Sequence, residues 1–124
     1  MSPDTRQMLW LFFSVSGRVA RAPYILASLL LNMTTVYLVY RIYLVPEGSD
    51  ESVFWGLIFI VVGVVCTWSF IALTVKRVHD FGKPGLLWLL LVVPVVSIIA
   101  FIVFCAQPGD DGPNQYGALT NSPA

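Results

Sequence analysis

LLWLLLVVPVVSIIAFIVFCA, residues 86 to 106, runs for twenty-one residues without a charge and carries one proline, Pro94. A hydrocarbon core of about 30 Å takes roughly twenty apolar residues in a helix, so the stretch is long enough to cross a bilayer once. Pro94 removes one backbone hydrogen bond and presses on the carbonyl of Leu90, so the helix must bend there or break into two short pieces. The outcomes differ in topology. A kinked span delivers residues from 107 onward to the far side, whereas a hairpin returns them to the side they left. No glycine or second proline accompanies Pro94 to complete a turn. That favours one kinked span, with the hairpin as its alternative.

Two further runs precede it. The first extends from about Pro23 to Leu44; a proline in the first helical turn costs nothing, because that turn has no internal partner for an amide hydrogen. Pro46 and Gly48 stop it. The second extends from about Ser52 to Val75, with Asp50, Glu51 and Ser52 placed to receive free amides and complement the helix dipole, and with Lys76 and Arg77 at its exit. The fold class is therefore all-α: a polytopic membrane protein with three transmembrane helices, 23–44, 52–75 and 86–106, the third kinked at Pro94. Met8-Leu9-Trp10-Leu11-Phe12-Phe13 is too short to cross and is followed by Arg18 and Arg21. Residues 1–22 read as an N-terminal interfacial segment with Trp10 at headgroup depth. Residues 107–124, rich in Pro, Gly and Asn, read as a polar loop or a partly disordered tail.

Composition agrees. Of 124 residues 57% are hydrophobic and only 11% charged, against about 25% charged in an ordinary soluble domain. So short a chain has too few polar residues to cover such runs around one soluble core. A net charge of zero argues against nucleic acid, whose phosphates require a basic face. The first run is too long for a cleavable signal and is expected to be retained. Cys66 and Cys105 lie inside apolar runs and read as small buried hydrophobes. No internal repeat supports an inverted-repeat transporter.

Orientation follows from the basic residues. Arg6, Arg18 and Arg21 precede the first span and Lys76, Arg77 and Lys83 lie between the second and third, while the intervening connection has Glu47, Asp50 and Glu51 with Arg41 alone nearby. Short cytoplasmic connections collect Lys and Arg. The N-terminus and the 76–85 loop are accordingly assigned to the cytoplasm of a bacterial cell and the 45–52 loop to the outside, with the tail outside if the third run crosses.

Chemistry is sparse. In Lys76-Arg77-Val78-His79-Asp80, a continued helix would bring Lys76 or Arg77 within pairing distance of Asp80. The plain reading is a charged helix end on anionic headgroups, and the functional one a site for a lipid headgroup or a partner protein. Asp80-Phe81-Gly82 matches a kinase magnesium motif without the rest of a kinase. His79, the single histidine, has no metal-ligand set around it, and Gly109 to Asn114 lacks the ligand alternation of a calcium loop. Asn32-Met33-Thr34 has the form of a glycosylation signal but falls in mid-span. No catalytic residue, metal or cofactor is expected, nor is an enzyme. Within the spans, Ser28, Asn32 and Thr35 share a face of the first helix, and Gly56, Gly63 and Thr67 supply small residues on the second. These are the candidate helix-packing positions, within one subunit or between subunits.

Gly17-Arg18-Val19-Ala20-Arg21 before Tyr24, Lys76-Arg77-Val78-His79-Asp80, and Pro108-Gly109 with Gly112, Asn114, Tyr116 and Gly117 together resemble the YhaH-like bacterial inner-membrane family, DUF805, over about residues 10 to 118. Lys76 departs from it, standing where that family usually shows a second arginine. The resemblance implies location and architecture without an activity. It points to Arg18, Arg21, Arg77, His79, Asp80, Asn114 and Tyr116 as residues that bind lipid or a partner. Three spans would put Asn114 and Tyr116 opposite the other five; a hairpin at Pro94 would unite them. The expected function is that of a non-enzymatic accessory or scaffold protein of the inner membrane, in contact with anionic lipid and assembled as a homo-oligomer or a subunit of a larger complex. The alternatives are a small oligomeric transporter or channel lined by Ser28, Asn32 and Thr35, or an anionic-lipid-binding protein using Arg18, Arg21 and Arg77.

Overall fold

The computed structural model describes residues 2 to 123. These form α1 (Pro3–Phe13), α2 (Arg21–Leu44), α3 (Asp50–Asp80), a 3-10 helix (Gly85–Val92) and α4 (Val96–Ala106). Among the described residues there is no strand, only two isolated bridges, one joining Arg18 between α1 and α2 to Ser122 and one within the tail, Asn114 with Gly117.

The helix boundaries follow local chemistry. Ser49 caps α3, its side chain accepting from the Ser52 amide at 3.1 Å, and Asp50 and Glu51 occupy the first turn, where negative charge complements the dipole. The helix continues five residues past Val75, the end expected from hydropathy. At about 1.5 Å per residue its 31 residues span about 46 Å. That exceeds the hydrocarbon thickness, so the charged last turns lie beyond the part able to sit in lipid. α2 begins at Arg21, and Pro23 still falls within its first turn.

The stretch around Pro94 is not one helix. It is eight residues of 3-10 helix and eleven of α-helix, each about 16 Å long and so about half a hydrocarbon thickness. Between them Val95 takes φ 68° and ψ −53°, and the Val96 amide donates to the Pro94 carbonyl at 2.8 Å. That is a γ-turn in its rare, strained form. Both ends of the stretch return to the end of α3: Gly85 packs against Val75 and His79, and the carbonyls of Phe104 and Gln107 accept from Arg77. The single kinked span at 86–106 is corrected to a hairpin. Pro94 cannot donate an amide, and one strained residue after it suffices to reverse the chain without a glycine.

Residues 107–123 follow a defined path of turns back across the end of α3, where the Asp110 amide donates to the Asp80 carbonyl at 2.7 Å. α1 packs along α3, with the Trp68 indole donating to the Phe13 carbonyl at 3.0 Å.

The core lies at this same end. Val19, Tyr24, Ala27, Leu73, Val78, Ala100 and Phe104 form one buried cluster, in which the hydroxyls of Tyr24 and Thr74 hydrogen-bond at 3.0 Å. Away from it the long helices are bare. Only 22% of the most apolar window of α2, and 22% of that of α3, is buried within the chain. Leu26, Val36, Leu57, Ile60, Val61 and Val64 are each at least 60% exposed, which would be costly in water at about 25 cal/mol per Å² of apolar surface. Both helices are long and apolar enough to cross a membrane, and their outward faces suit one.

Candidate functional site

The candidate residues converge where α2 starts and α3 and α4 end. Arg18, Arg77 and Asp80 are 1%, 0% and 3% exposed, so the charged edge expected from the sequence is a buried ionic cluster. The Asp80 carboxylate bridges the two arginines, taking Arg18 Nε on Oδ1 at 3.0 Å and an Arg77 terminal nitrogen on Oδ2 at 2.9 Å. The continuation of α3 makes the second pair, because residues three apart share a helix face. Lys76 does not join it.

Arg18 spends every donor it has. A guanidinium offers five. Beyond Asp80 Oδ1, its terminal nitrogens reach the carbonyls of Gly112 at 2.8 Å, Asp110 at 2.8 Å, Gly117 at 3.2 Å and Asp80 at 3.4 Å. Arg77 donates to the carbonyls of Phe104 at 2.8 Å, Val19 at 3.1 Å and Gln107 as well as to Asp80. Lys76, also 0% exposed, donates to the carbonyls of Trp10 and Leu11 and sits 4.4 Å from the centre of the Trp10 ring.

Three cations are thus buried with one carboxylate, which pairs only with Arg18 and Arg77, and helix ends supply the missing negative charge. Lys76 caps the C-terminus of α1, and Arg77 lies at the C-termini of α3 and α4, where unpaired carbonyls carry the negative end of the dipole. Such burial costs several kcal/mol per ion unless every donor is satisfied. Here the carbonyls of α4 and the tail do so.

Asn114 and Tyr116 complete the arrangement. The Asn114 amide donates to the His79 carbonyl at 2.9 Å and to Asp110 Oδ2 at 2.8 Å, while its own oxygen accepts from the Tyr116 amide at 2.9 Å. The Tyr116 ring then stacks flat on the His79 imidazole, 3.9 Å between centroids and 3° from parallel. His79 Nδ1 lies 3.3 Å from the Gly17 carbonyl. Gly17 has φ 96°, and a β-carbon there would collide with the Ser122 carbonyl.

The hairpin thereby brings together Arg18, Arg77, His79, Asp80, Asn114 and Tyr116. Arg21 stands at the rim, exposed, 3.4 Å from the Ala106 carbonyl. The family model for a protein of unknown function (DUF805) matches residues 12–118, a stretch that contains this whole cluster. The chain belongs to that family. No curated protein and no solved structure matches it. In this DUF805 protein the three segments that carried the resemblance are the three that meet in the cluster.

The helix-packing candidates lie elsewhere. Ser28 is buried and, among the described residues, its hydroxyl has no hydrogen-bond partner. Asn32 and Thr35 turn back onto their own helix, bonding the carbonyls of Ser28 at 2.8 Å and Leu31 at 3.1 Å, and Thr67 does the same to Gly63 at 2.7 Å. A β-carbon on Gly56 or Gly63 would meet nothing within 4 Å, so neither serves close packing inside the chain. Asn32, Thr35, Gly63 and Thr67 instead line an open cleft of about 1090 Å³ between α2, α3 and the hairpin. Three participants escaped the sequence reading: Lys76 as a cap for α1, Gly109 against Asp80, and the carbonyls of 110, 112 and 117. The Pro108-Gly109 pattern signalled the second.

Proposed function

We propose that this DUF805 protein is a non-enzymatic scaffold of the bacterial inner membrane, with α2 and α3 crossing the bilayer and the 85–106 hairpin re-entering from the cytoplasmic side. The carrying observation is the division of labour between its surfaces. The polar residues of the family pattern are consumed in tying α1, α3, α4 and the tail together, as the five spent donors of Arg18 illustrate. What remains outward is apolar helix surface. A partner would therefore be met within the membrane, where packing and a few hydrogen bonds drive association. The buried positions of Arg18 and Arg77 remove support from headgroup binding by those two residues; Arg6, Arg21 and Lys83 are exposed and supply the basic edge for anionic lipid.

Extraction from native membrane in a mild detergent tests this reading. The protein should migrate as an assembly larger than one chain. A strictly monomeric particle, without co-purifying protein or lipid, would remove the basis for a scaffold.

A further inference from the structure

We infer that Arg41 and Trp55 bind the phosphate of a phosphoethanolamine lipid in the outer leaflet, with Glu51 taking its ammonium and an acyl chain entering the cleft below. The inference rests on the membrane reading above and adds a ligand on the side away from the buried cluster. Arg41 lies twenty residues along α2 from Arg21 (41 − 21), about 30 Å at about 1.5 Å per residue, which is one hydrocarbon thickness. With Arg21 at the cytoplasmic edge, Arg41 stands at the opposite one. Tyr40, Tyr43 and Trp55 cluster at that level, as an aromatic belt does where hydrocarbon meets headgroups.

Arg41 differs from the cations of the cluster, which spend their donors on carbonyls and on Asp80. Among the described residues it has no carboxylate within 4.0 Å, and its Nε is enclosed without a hydrogen-bond partner. Its guanidinium carbon lies instead 4.6 Å from the centre of the Trp55 ring. The ring face steadies the cation without neutralising it. The terminal nitrogens, which are not enclosed, are left for an anion from outside the chain, and their parallel N–H groups match two oxygens of a phosphate.

The charge around the pair selects the headgroup. Glu47, Asp50 and Glu51 in the adjoining connection are exposed, so Arg41 is one cation beside three carboxylates, and a lipid of net negative charge is repelled there. A zwitterion is not. Glu51 precedes Trp55 by four residues (55 − 51) and so shares its face of α3, one turn further out. A phosphate on Arg41 therefore directs the ammonium of phosphoethanolamine, the next charged group outward, to Glu51. That ammonium has three hydrogens to donate, whereas a quaternary choline has none.

The cleft begins one turn below the pair. Leu38, three residues before Arg41, and Phe59, four after Trp55, both line it. From Phe59 to Ile71, also in its wall, α3 rises about 18 Å over twelve residues (71 − 59), slightly more than the half-thickness of hydrocarbon that one acyl chain covers. Thr35 and Thr67 give their hydroxyls to carbonyls of their own helices. The wall is therefore mostly hydrocarbon, and it suits a chain attached to the phosphate above.

Native mass spectrometry of the delipidated full chain in detergent, titrated with phosphatidylethanolamine, phosphatidylglycerol and phosphatidylcholine of identical acyl chains, tests this. Phosphatidylethanolamine should bind tightest, and Arg41→Gln should weaken it about tenfold, the worth of one charge-assisted contact. Glu51→Gln should lower the preference for phosphatidylethanolamine over phosphatidylglycerol about two- to fivefold, the range of an exposed ion pair. Gly63→Leu, whose added side chain projects into the cleft, should weaken binding as well. The wild-type order needs no variant: equal binding of the three lipids, or tightest binding of phosphatidylglycerol, overturns the inference. So does phosphatidylethanolamine binding that neither Arg41→Gln nor Gly63→Leu alters. Inorganic phosphate competing as well as the lipid would assign the site to a free anion and overturn the lipid. Alkaline extraction of native membranes separates the two claims: release of the protein defeats the membrane reading, whereas retention of a protein without lipid preference defeats only this site.

Discussion

The α-carbon of Gly109 rests against the carboxylate of Asp80, so closely that any β-carbon at 109 would overlap Oδ2. This is where the tail crosses the end of α3, and the carboxylate cannot yield without loosening Arg18 or Arg77. Gly109→Ala should therefore destabilise the fold by about 3 kcal/mol, the order found when a buried ion pair is broken. Gly112→Ala is the control, since a β-carbon there meets nothing within 4 Å and its carbonyl is unchanged. Thermal unfolding followed by circular dichroism in detergent should show a large loss for the first and little for the second.

Lys76 holds α1 by its end. Its ammonium donates to the carbonyls of Trp10 and Leu11 in the last turn of α1, where the Trp10 carbonyl also accepts from the Ser14 amide at 3.1 Å and helix carbonyls otherwise lack intrahelical donors. Lys76→Met keeps the length of the side chain and removes the donors. α1 should then detach while the Arg18–Asp80–Arg77 cluster persists, seen as faster labelling of a Leu11→Cys thiol and little change in global unfolding. Lys76→Arg can place two nitrogens on the same two carbonyls, and labelling should stay slow. Equal labelling in all three proteins would show that α1 does not depend on this cap.

The γ-turn at Val95 is strained. A β-branched residue at φ 68° carries a cost of order 1–3 kcal/mol, and glycine escapes most of it while losing up to about 1 kcal/mol in chain entropy. Val95→Gly should accordingly stabilise the protein by about 1 kcal/mol. Unfolding at a lower temperature would show that packing of the Val95 side chain outweighs the strain.

Pro94 also marks where sequence reading reached its limit. The two long helices were legible because hydropathy and caps are local: Ser49, Asp50 and Glu51 sit where a helix must begin, and Pro46 and Gly48 where one must end. The fate of residues 86–106 was not, because a proline permits both a kink and a break. What decides is distant in sequence, namely the carbonyls of Phe104 and Gln107 on Arg77 and the closeness of Gly109 to Asp80. The same holds for the site. Its members could be named from the pattern Arg18, Arg77, Asp80, Asn114 and Tyr116, yet their burial could not, since charge at a helix end ordinarily means solvent or headgroups. Lys76 reads as a headgroup anchor until α1 is seen lying on it.

The hairpin makes a prediction about sidedness that three crossings would reverse. Thr5 in α1 and Thr120 in the tail are exposed, and both segments pack on the basic end of α3, whereas Glu47 lies in the connection at the opposite ends of α2 and α3. Introduced singly in a background with Cys66→Ala and Cys105→Ala, Thr5→Cys and Thr120→Cys should be protected in intact cells from a membrane-impermeant maleimide and become reactive in inverted vesicles. Glu47→Cys should show the opposite pattern, because the basic residues mark the cytoplasmic side and Glu47, Asp50 and Glu51 mark the other. Reaction of Thr120→Cys from outside would require residues 86–106 to cross, and Arg18 could not then reach the carbonyls of Asp110, Gly112 and Gly117. The labelling pattern therefore tests the buried cluster as directly as it tests the topology.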